Sequence, residues 1–440
     1  MADRNIIAID IGSTKIATVI AAVVDGEQPS VIGVASYPSK GLKKGVVVNL
    51  DEATNSIAAS LEAAERMAGL SSNFVYISVN GKHITSINNK GVVAIAKEEI
   101  GSDDILRAIE SARTISIPPS REILHVIPRE YIVDAQGDIK DPTGMAGTRL
   151  EVDTHIISAI SAAVYNLMRC VVTIGLKIED IVFCGWASAI SVLTATEKEL
   201  GVTILDIGGG TTTINTFVED AITYSGSVPL GGANLTSDLA IGLRVTLEDA
   251  EKIKINAEEL MHISQKSPVN EMTKRREKLL GKNEEEEEEV KDTKKSKDII
   301  DISSLEITGL KTVSRKLFEE IVEARMSEIF DIINRQVEES GNIAKLPAGV
   351  VITGGSALIP GITNIAKKVF GVPARVGYPK GMSGLSDEIS SPSYAVVQGL
   401  IMYGAKNEGV KNMRDKMNVK SGPQEGLLNK IKGFFKNLMP

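Results

Sequence analysis

Two stretches of the chain bring together residue types suited to phosphate and a divalent cation. In Ile6-Ile7-Ala8-Ile9-Asp10-Ile11, an aspartate is followed by the turn Gly12-Ser13-Thr14-Lys15. Far downstream, Asp206 precedes Gly208-Gly209-Gly210-Thr211-Thr212-Thr213 in the same way. Glycines let backbone N–H groups approach phosphate oxygens, and hydroxyls add further donors. Asp10 and Asp206 would face a Mg²⁺ ion, held through its waters because Mg²⁺ gives them up reluctantly. Lys15 would offset phosphate charge. One Gly/Thr turn is commonplace, but here there are two, and a third glycine turn, Thr353-Gly354-Gly355-Ser356, where backbone could pack against an adenine and ribose. The set predicts a nucleoside triphosphate clamped from opposite sides. Glu251 and Lys254 lie one helical turn apart and share a face; by themselves they read as an ordinary surface ion pair.

The elements that must hold these turns follow from periodicity. Ile6–Ile11 and Ile16–Val24 read as a hairpin of buried strands, and Val202–Ile207 with Ile214–Val218 reads as a second one. The recurrence of Asp-Ile-Gly predicts two similar halves. Asp51–Met67 carries Ile57, Leu61 and Ala64 on one helical face. Ser102, followed by Asp103 and Asp104, reads as the capping hydroxyl of another helix. Around it, residues 84–161 alternate like strands, which predicts a small α+β unit inserted at 81–163. The first half is then 1–80 plus 164–200, and the second is 201–405. Within the latter, Leu247–Leu260 and Thr312–Glu338 read as helices, Val350–Thr353 as a strand and Ile362–Phe370 as a helix. Between them, 266–297 is polar and contains the acidic run Glu284–Glu289, which buries too little apolar area to order itself. Residues 406–425 read as a flexible linker.

Composition removes several classes of function. At 440 residues with 43% hydrophobic content the chain can bury more than one core. A net charge of −8 argues against a nucleic-acid partner. Cys170 and Cys184 show no CxxC spacing, as expected of core thiols in a reducing cytoplasm. His83, His125, His155 and His262 are too scattered for a metal cluster. Residues 1–10 have neither the basic nor the apolar region of a signal peptide, and Ile16–Val24 is shorter than the roughly 20 residues needed to span a bilayer.

The residues 426–440, GLLNKIKGFFKNLMP, have a different character. Leu427, Leu428, Ile431, Phe434, Phe435, Leu438 and Met439 follow helical spacing, with Lys430, Lys432 and Lys436 between them. A helix of about 13 residues is roughly 20 Å long, too short to cross a hydrocarbon core of about 30 Å. It is expected to lie in the interface of an anionic lipid membrane.

The motifs IIAIDIGSTK, VTILDIGGGTTT and VVITGGSALIPG resemble, in this order, the two phosphate motifs and the adenosine motif of the actin, sugar-kinase and heat-shock-chaperone superfamily. The resemblance implies an actin-like fold of two duplicated α/β domains that binds ATP and Mg²⁺. Glu251 and Lys254 in AEKIK match the superfamily helix that contacts adenosine. NGKHITSINNKGVVAI, ILHVIPREYIVDAQGDIKDPTGMAGTRLEV and SVLTATEKELGV further resemble the FtsA family of bacterial cell-division proteins, over nearly the whole chain. That likeness implies self-association into filaments, binding of the C-terminal tail of the ring protein FtsZ, contact of the insert with later divisome proteins, and a place on the cytoplasmic face of the inner membrane at the division site. Trp186 in CGWASAI departs from the small or aliphatic residues familiar there, beside the hinge. The acidic run would repel an acidic tail, so FtsZ is expected to dock elsewhere on that subdomain, with Arg275, Arg276 and Lys278 as candidates. No carboxylate is evident as a base for a substrate hydroxyl, so ATP binding with weak or no hydrolysis is expected. The alternatives are a pilus-assembly adaptor of the PilM type, then a superfamily ATPase or kinase.

Overall fold

The computed structural model describes residues 4–24, 26–265, 298–307, 309–341 and 346–416. The first half opens with strands β1 (Arg4–Ile11), β2 (Lys15–Val23) and β3 (Ser30–Pro38), the short pair β4 (Leu42–Lys43) and β5 (Val46–Val47), helix α1 (Leu50–Ala68) and strand β6 (Phe74–Val79). An inserted unit follows: β7 (Thr85–Ala94), α2 (Ser102–Arg113), β8 (Arg121–Val133), β9 (Gln136–Ile139) and β10 (Arg149–Ile160). The first half resumes with α3 (Ser161–Thr173) and β11 (Lys177–Phe183), then passes through α4 (Cys184–Val192) and α5 (Ala195–Leu200). The second half holds β12 (Val202–Ile207), β13 (Thr212–Val218), β14 (Ala221–Val228), α6 (Gly232–Leu243), α7 (Leu247–Gln265), β15 (Ile299–Asp301) and β16 (Thr312–Ser314). It continues through α8 (Arg315–Glu339), β17 (Gly349–Thr353), α9 (Ile362–Phe370) and β18 (Ala374–Val376), before β19 (Ser383–Gly384) and the last helix, α10 (Ala395–Lys416).

Strand order shows a duplication that motif recurrence only hinted at. The first sheet runs β11-β6-β1-β2-β3, with β19 added at its edge, and the second runs β14-β13-β12-β17-β18. In each, a three-strand antiparallel meander is extended by two parallel strands on the side of its first strand. β1 therefore corresponds to β12, and β6 to β17. Parallel neighbours need helical crossovers that cover the faces of the sheet, and α1 supplies one of them. Asn49 caps α1 by accepting from Asp51 N–H and Glu52 N–H, and Gly69 ends it in the left-handed region. Its buried stripe, Ala53, Ile57, Leu61 and Ala64, packs on the first sheet's core.

The insert is a separate four-stranded sheet, β7-β10-β8-β9, with α2 packed on it around Ala108 and Ala112. Ser102 is not the capping residue expected. Gly101 occupies that position, and Asp104 Oδ2 reaches back to its N–H at 3.0 Å, so the acid supplies the cap. The insert also leans on the second half: Ser86 Oγ donates to Ser225 O at 2.8 Å, and His155 Nε2 meets Ser225 Oγ at 2.9 Å. Burial holds His155 neutral, with a pKa of about 3.

Two further expectations change. The helix read from Thr312 begins at Arg315, because Thr312–Ser314 pairs with β15 and Ser314 Oγ caps the helix at Leu317 N–H. The residues from Lys406 read as linker continue α10 as far as Lys416. This stretch has no proline and mostly straight-chain residues, and the buried turns before it have already met the cost of nucleation. Moreover, Val396, Val397, Leu400, Ile401 and Tyr403 pack with Ile6, Ala8, Val19 and Val182, so 395–405, counted with the second half by sequence order, lies against the first. Residues 417–425, the acidic run Glu284–Glu289, Arg275, Arg276, Lys278 and the amphipathic segment 426–440 fall outside the described residues. Among those described, no helix is long and apolar enough to cross a membrane.

Where α4, β8 and α10 meet, aromatic rings interlock. Trp186 lies edge-on to His125 at 4.7 Å and to Tyr403 at 5.4 Å between ring centroids. Phe183 N–H donates to His125 Nε2 at 3.1 Å, and Tyr403 Oη donates to Asp180 at 2.7 Å. Burial lowers the His125 pKa to about 3, so the ring is neutral.

Candidate functional site

The two Asp-turn hairpins meet tip to tip between the halves. In each, the residue after the aspartate's neighbour opens the turn, and the same bond closes it: Gly12 N–H to Lys15 O at 3.1 Å, and Gly208 N–H to Thr211 O at 2.9 Å. A Cβ on Gly209 would stand 2.3 Å from Thr14 Cγ2, and one on Gly210 would stand 2.9 Å from Ser13 Cβ. Only glycine permits that approach. Ser13 Oγ is itself held by Gly45 N–H at 2.8 Å. The N–H groups of Ser13, Thr14, Gly209 and Gly210 donate to no acceptor among the described residues, as a waiting anion cradle would.

Behind the tips are the two carboxylates. Ser78 Oγ donates to Asp10 Oδ1 at 2.7 Å and accepts from Ile11 N–H at 2.9 Å. Burial raises the Asp10 pKa, against the pull of Ser78 and Lys15. Asp206 is raised to about 7, first by burial and then by the charge of Asp10, with Lys15 opposing. Lys15 is pushed down by burial and pulled up by Asp10 and Asp206. Its Nζ donates to Ser393 O at 3.0 Å and lies 4.0 Å above the Tyr394 ring. The charge of Asp10 thus disfavours the ionisation of Asp206.

The third turn is built against the second. Gly354, at φ +86°, would put a Cβ 2.3 Å from Asp206 Oδ1, and Ser356 Oγ lies 3.5 Å from Gly208 O. Gly355 continues into the short 3₁₀ turn ending at Leu358. Helix α6 begins on the same hairpin, with Gly232 N–H donating to Gly208 O at 2.9 Å and Ala233 N–H to Gly209 O at 2.8 Å. Lys254 Nζ reaches this corner, donating to Glu251 at 2.7 Å, Thr236 Oγ1 at 2.9 Å and Gly232 O at 3.3 Å. With its side chain only 9% exposed, Lys254 is not the ordinary surface partner that Glu251 suggests in sequence.

Thr212 does not join Thr211 at the hairpin tip, contrary to its expected place among the phosphate-binding residues. The turn ends at Thr211, Thr212 is the first residue of β13, and its buried hydroxyl donates to Leu230 O at 2.9 Å. Two residues that sequence reasoning missed come in. One is Ser78, described above. The other is Asn80, whose Nδ2 donates to Thr211 Oγ1 at 2.6 Å while its Oδ1 accepts from Gly81 N–H and Ser227 Oγ. The signal was available: Ser78 and Asn80 are polar intrusions in Phe-Val-Tyr-Ile-Ser-Val-Asn, a strand otherwise apolar. Asn80→Ala would strand two buried hydroxyls across the cleft. It is expected to cost about 1–3 kcal/mol in stability and roughly fivefold in nucleotide affinity, read by thermal melting and calorimetric titration.

Duplicated sheets of this order, with paired Asp-turn hairpins closing on a shared cleft, define a protein of the actin-like fold. The fold matches that of the PilM-PilN type IV pilus biogenesis complex with a TM-score of 0.59 at 16% identity, covering 91% of this chain and 98% of that one. Sequence comparison is narrower. The family model for the SHS2 domain inserted in FTSA matches residues 81–158, and the one for cell division protein FtsA matches residues 203–399. Cell division protein FtsA of Pseudomonas aeruginosa is 35% identical over 92% of this chain and 90% of its own length. That of Neisseria meningitidis is 35% identical over 99% and 98%, and that of Escherichia coli K12 is 31% identical over 92% and 91%. The chain belongs to the FtsA family of cell division proteins.

Proposed function

We propose that the protein binds ATP with Mg²⁺ between its two hairpins, self-associates, and tethers FtsZ to the cytoplasmic face of the bacterial inner membrane, where it brings in later division proteins. The observation that carries the nucleotide part is the tip-to-tip meeting of the hairpins, with the carboxylates of Asp10 and Asp206 behind four N–H groups that have no partner among the described residues. That donor set suits a triphosphate and its cation. Ser13, Thr14, Gly209, Gly210 and Thr211 would hold phosphate, Asp10 and Asp206 the cation's waters, and Gly354, Ser356, Glu251 and Lys254 the nucleoside. The membrane part rests on the lysine-flanked apolar spacing of 426–440, and the FtsZ part on family membership. Membership also weighs against a pilus adaptor, since the likeness to the pilus complex is one of fold.

The test is co-sedimentation of FtsZ with anionic liposomes in the presence of ATP, comparing the intact chain with one truncated after Glu425. FtsZ is expected to pellet only with the intact chain. Lipid binding without FtsZ would favour the pilus-type reading, and binding of neither would sink the adaptor reading.

A further inference from the structure

The hydroxyl of Thr213 is fully buried and has no hydrogen-bond partner among the described residues. Its neighbours on the hairpin are all satisfied: Thr211 by Asn80, Thr212 by Leu230 O, and Thr216 by Thr203 at 2.9 Å. Such a group costs stability unless something outside the chain completes it. Its position says what that is. In the register of β12 and β13, Thr213 is the direct partner of Asp206, and cross-strand partners project from the same face about 5 Å apart. Two residues on, Asn215 shares that face but is taken, its amide oriented to accept from Trp186 N–H at 3.2 Å. On its other side Thr213 pairs with Ser227 of β14, whose hydroxyl donates to Asn80 Oδ1 at 3.1 Å, so the Thr213 hydroxyl stands between that engaged serine and the carboxylate of Asp206.

The duplication shows that packing does not demand a hydroxyl here. The matching partner of Asp10 on the first hairpin is Ala17, which is equally buried. On the second hairpin the corresponding buried position carries a hydroxyl. The tips above it touch in this structure, and a triphosphate passing between them has to part them.

Resting on the nucleotide reading above, we propose that Thr213 is a positioning residue for the cation: its hydroxyl accepts from, or donates to, a hydration water of Mg²⁺ that Asp206 also holds. Thr213→Val keeps the shape and removes the hydroxyl, and Thr213→Ser keeps the hydroxyl. The ligand-free Thr213→Val protein is expected to melt about 2 °C higher than wild type, because an unsatisfied buried group is gone. Its affinity for ATP is expected to fall about tenfold with Mg²⁺ present and to be unchanged in EDTA, while Thr213→Ser follows wild type in both. A melting point that stays level or falls means the hydroxyl is already partnered and overturns the proposal. Unchanged affinity with Mg²⁺ does the same, and so does an equal loss in EDTA, which would place the hydroxyl on a phosphate oxygen. Failure of the wild type to bind ATP would remove the nucleotide reading itself, a result separable from the melting comparison.

Discussion

Asp206→Asn is expected to weaken Mg·ATP binding about a hundredfold, because it removes one of the two buried carboxylates that the proposed function assigns to the cation's waters. The same change is expected to stabilise the ligand-free protein above neutral pH. The folded-state pKa of Asp206, about 7, lies above its ordinary value of 3.8. Between those values the folded protein holds a proton that the unfolded chain releases. Ligand-free stability therefore falls as pH rises across this window, by at most about 1.4 kcal/mol per pH unit from this group. Asparagine has no proton to lose and flattens the slope. Thermal melts at pH 5 and pH 8, with isothermal titration of Mg·ATP, read both effects. A variant that binds as wild type does, or that keeps the wild-type pH slope, would contradict the placement of the charge.

Gly354→Val is expected to abolish nucleotide binding and to cost about 3–5 kcal/mol of stability. Two penalties coincide at this residue. Its φ of +86° lies where a β-branched side chain is a genuine outlier, and the new Cβ would strike Asp206 Oδ1 at 2.3 Å and Ile207 O at 2.7 Å. Gly361→Ala separates the two, since Gly361 has φ +78° and open space around it. It is expected to cost about 1 kcal/mol and to leave binding intact. Denaturant unfolding of both variants, alongside nucleotide titration, makes the comparison; equal losses would assign the whole effect to backbone strain.

Much of the site was legible because it is local. Each hairpin announces itself by an aspartate two residues before a glycine turn, and the fold brought Asp10, Asp206, Ser13, Thr14, Gly209 and Gly210 together. What escaped was set by partners distant in sequence. Asn80 and Ser78 matter only because β6 lies parallel beside β1, which no short window reveals. Composition alone groups Thr212 with its neighbours, although alternation along a strand turns consecutive threonines to opposite faces. That same alternation would have set Thr213 with Asp206. The last helix was missed for another reason: its polar residues carry no apolar stripe, and they stay helical by extending a segment already anchored on Ala187 and Tyr76. Lys254 looked exposed because a helical wheel cannot show that α6 and Ser356 close over it.

The ring cluster at the root of α4 gives the molecule an optical address. Trp186 is the chain's one tryptophan, so all indole emission comes from a single point. At that point the insert, through His125, and the last helix, through Tyr403, touch the segment joining the two halves. A rearrangement at that junction would change the surroundings of the indole. The unlabelled protein thus carries a built-in gauge of its own rearrangements, readable in solution or on a vesicle without adding a dye.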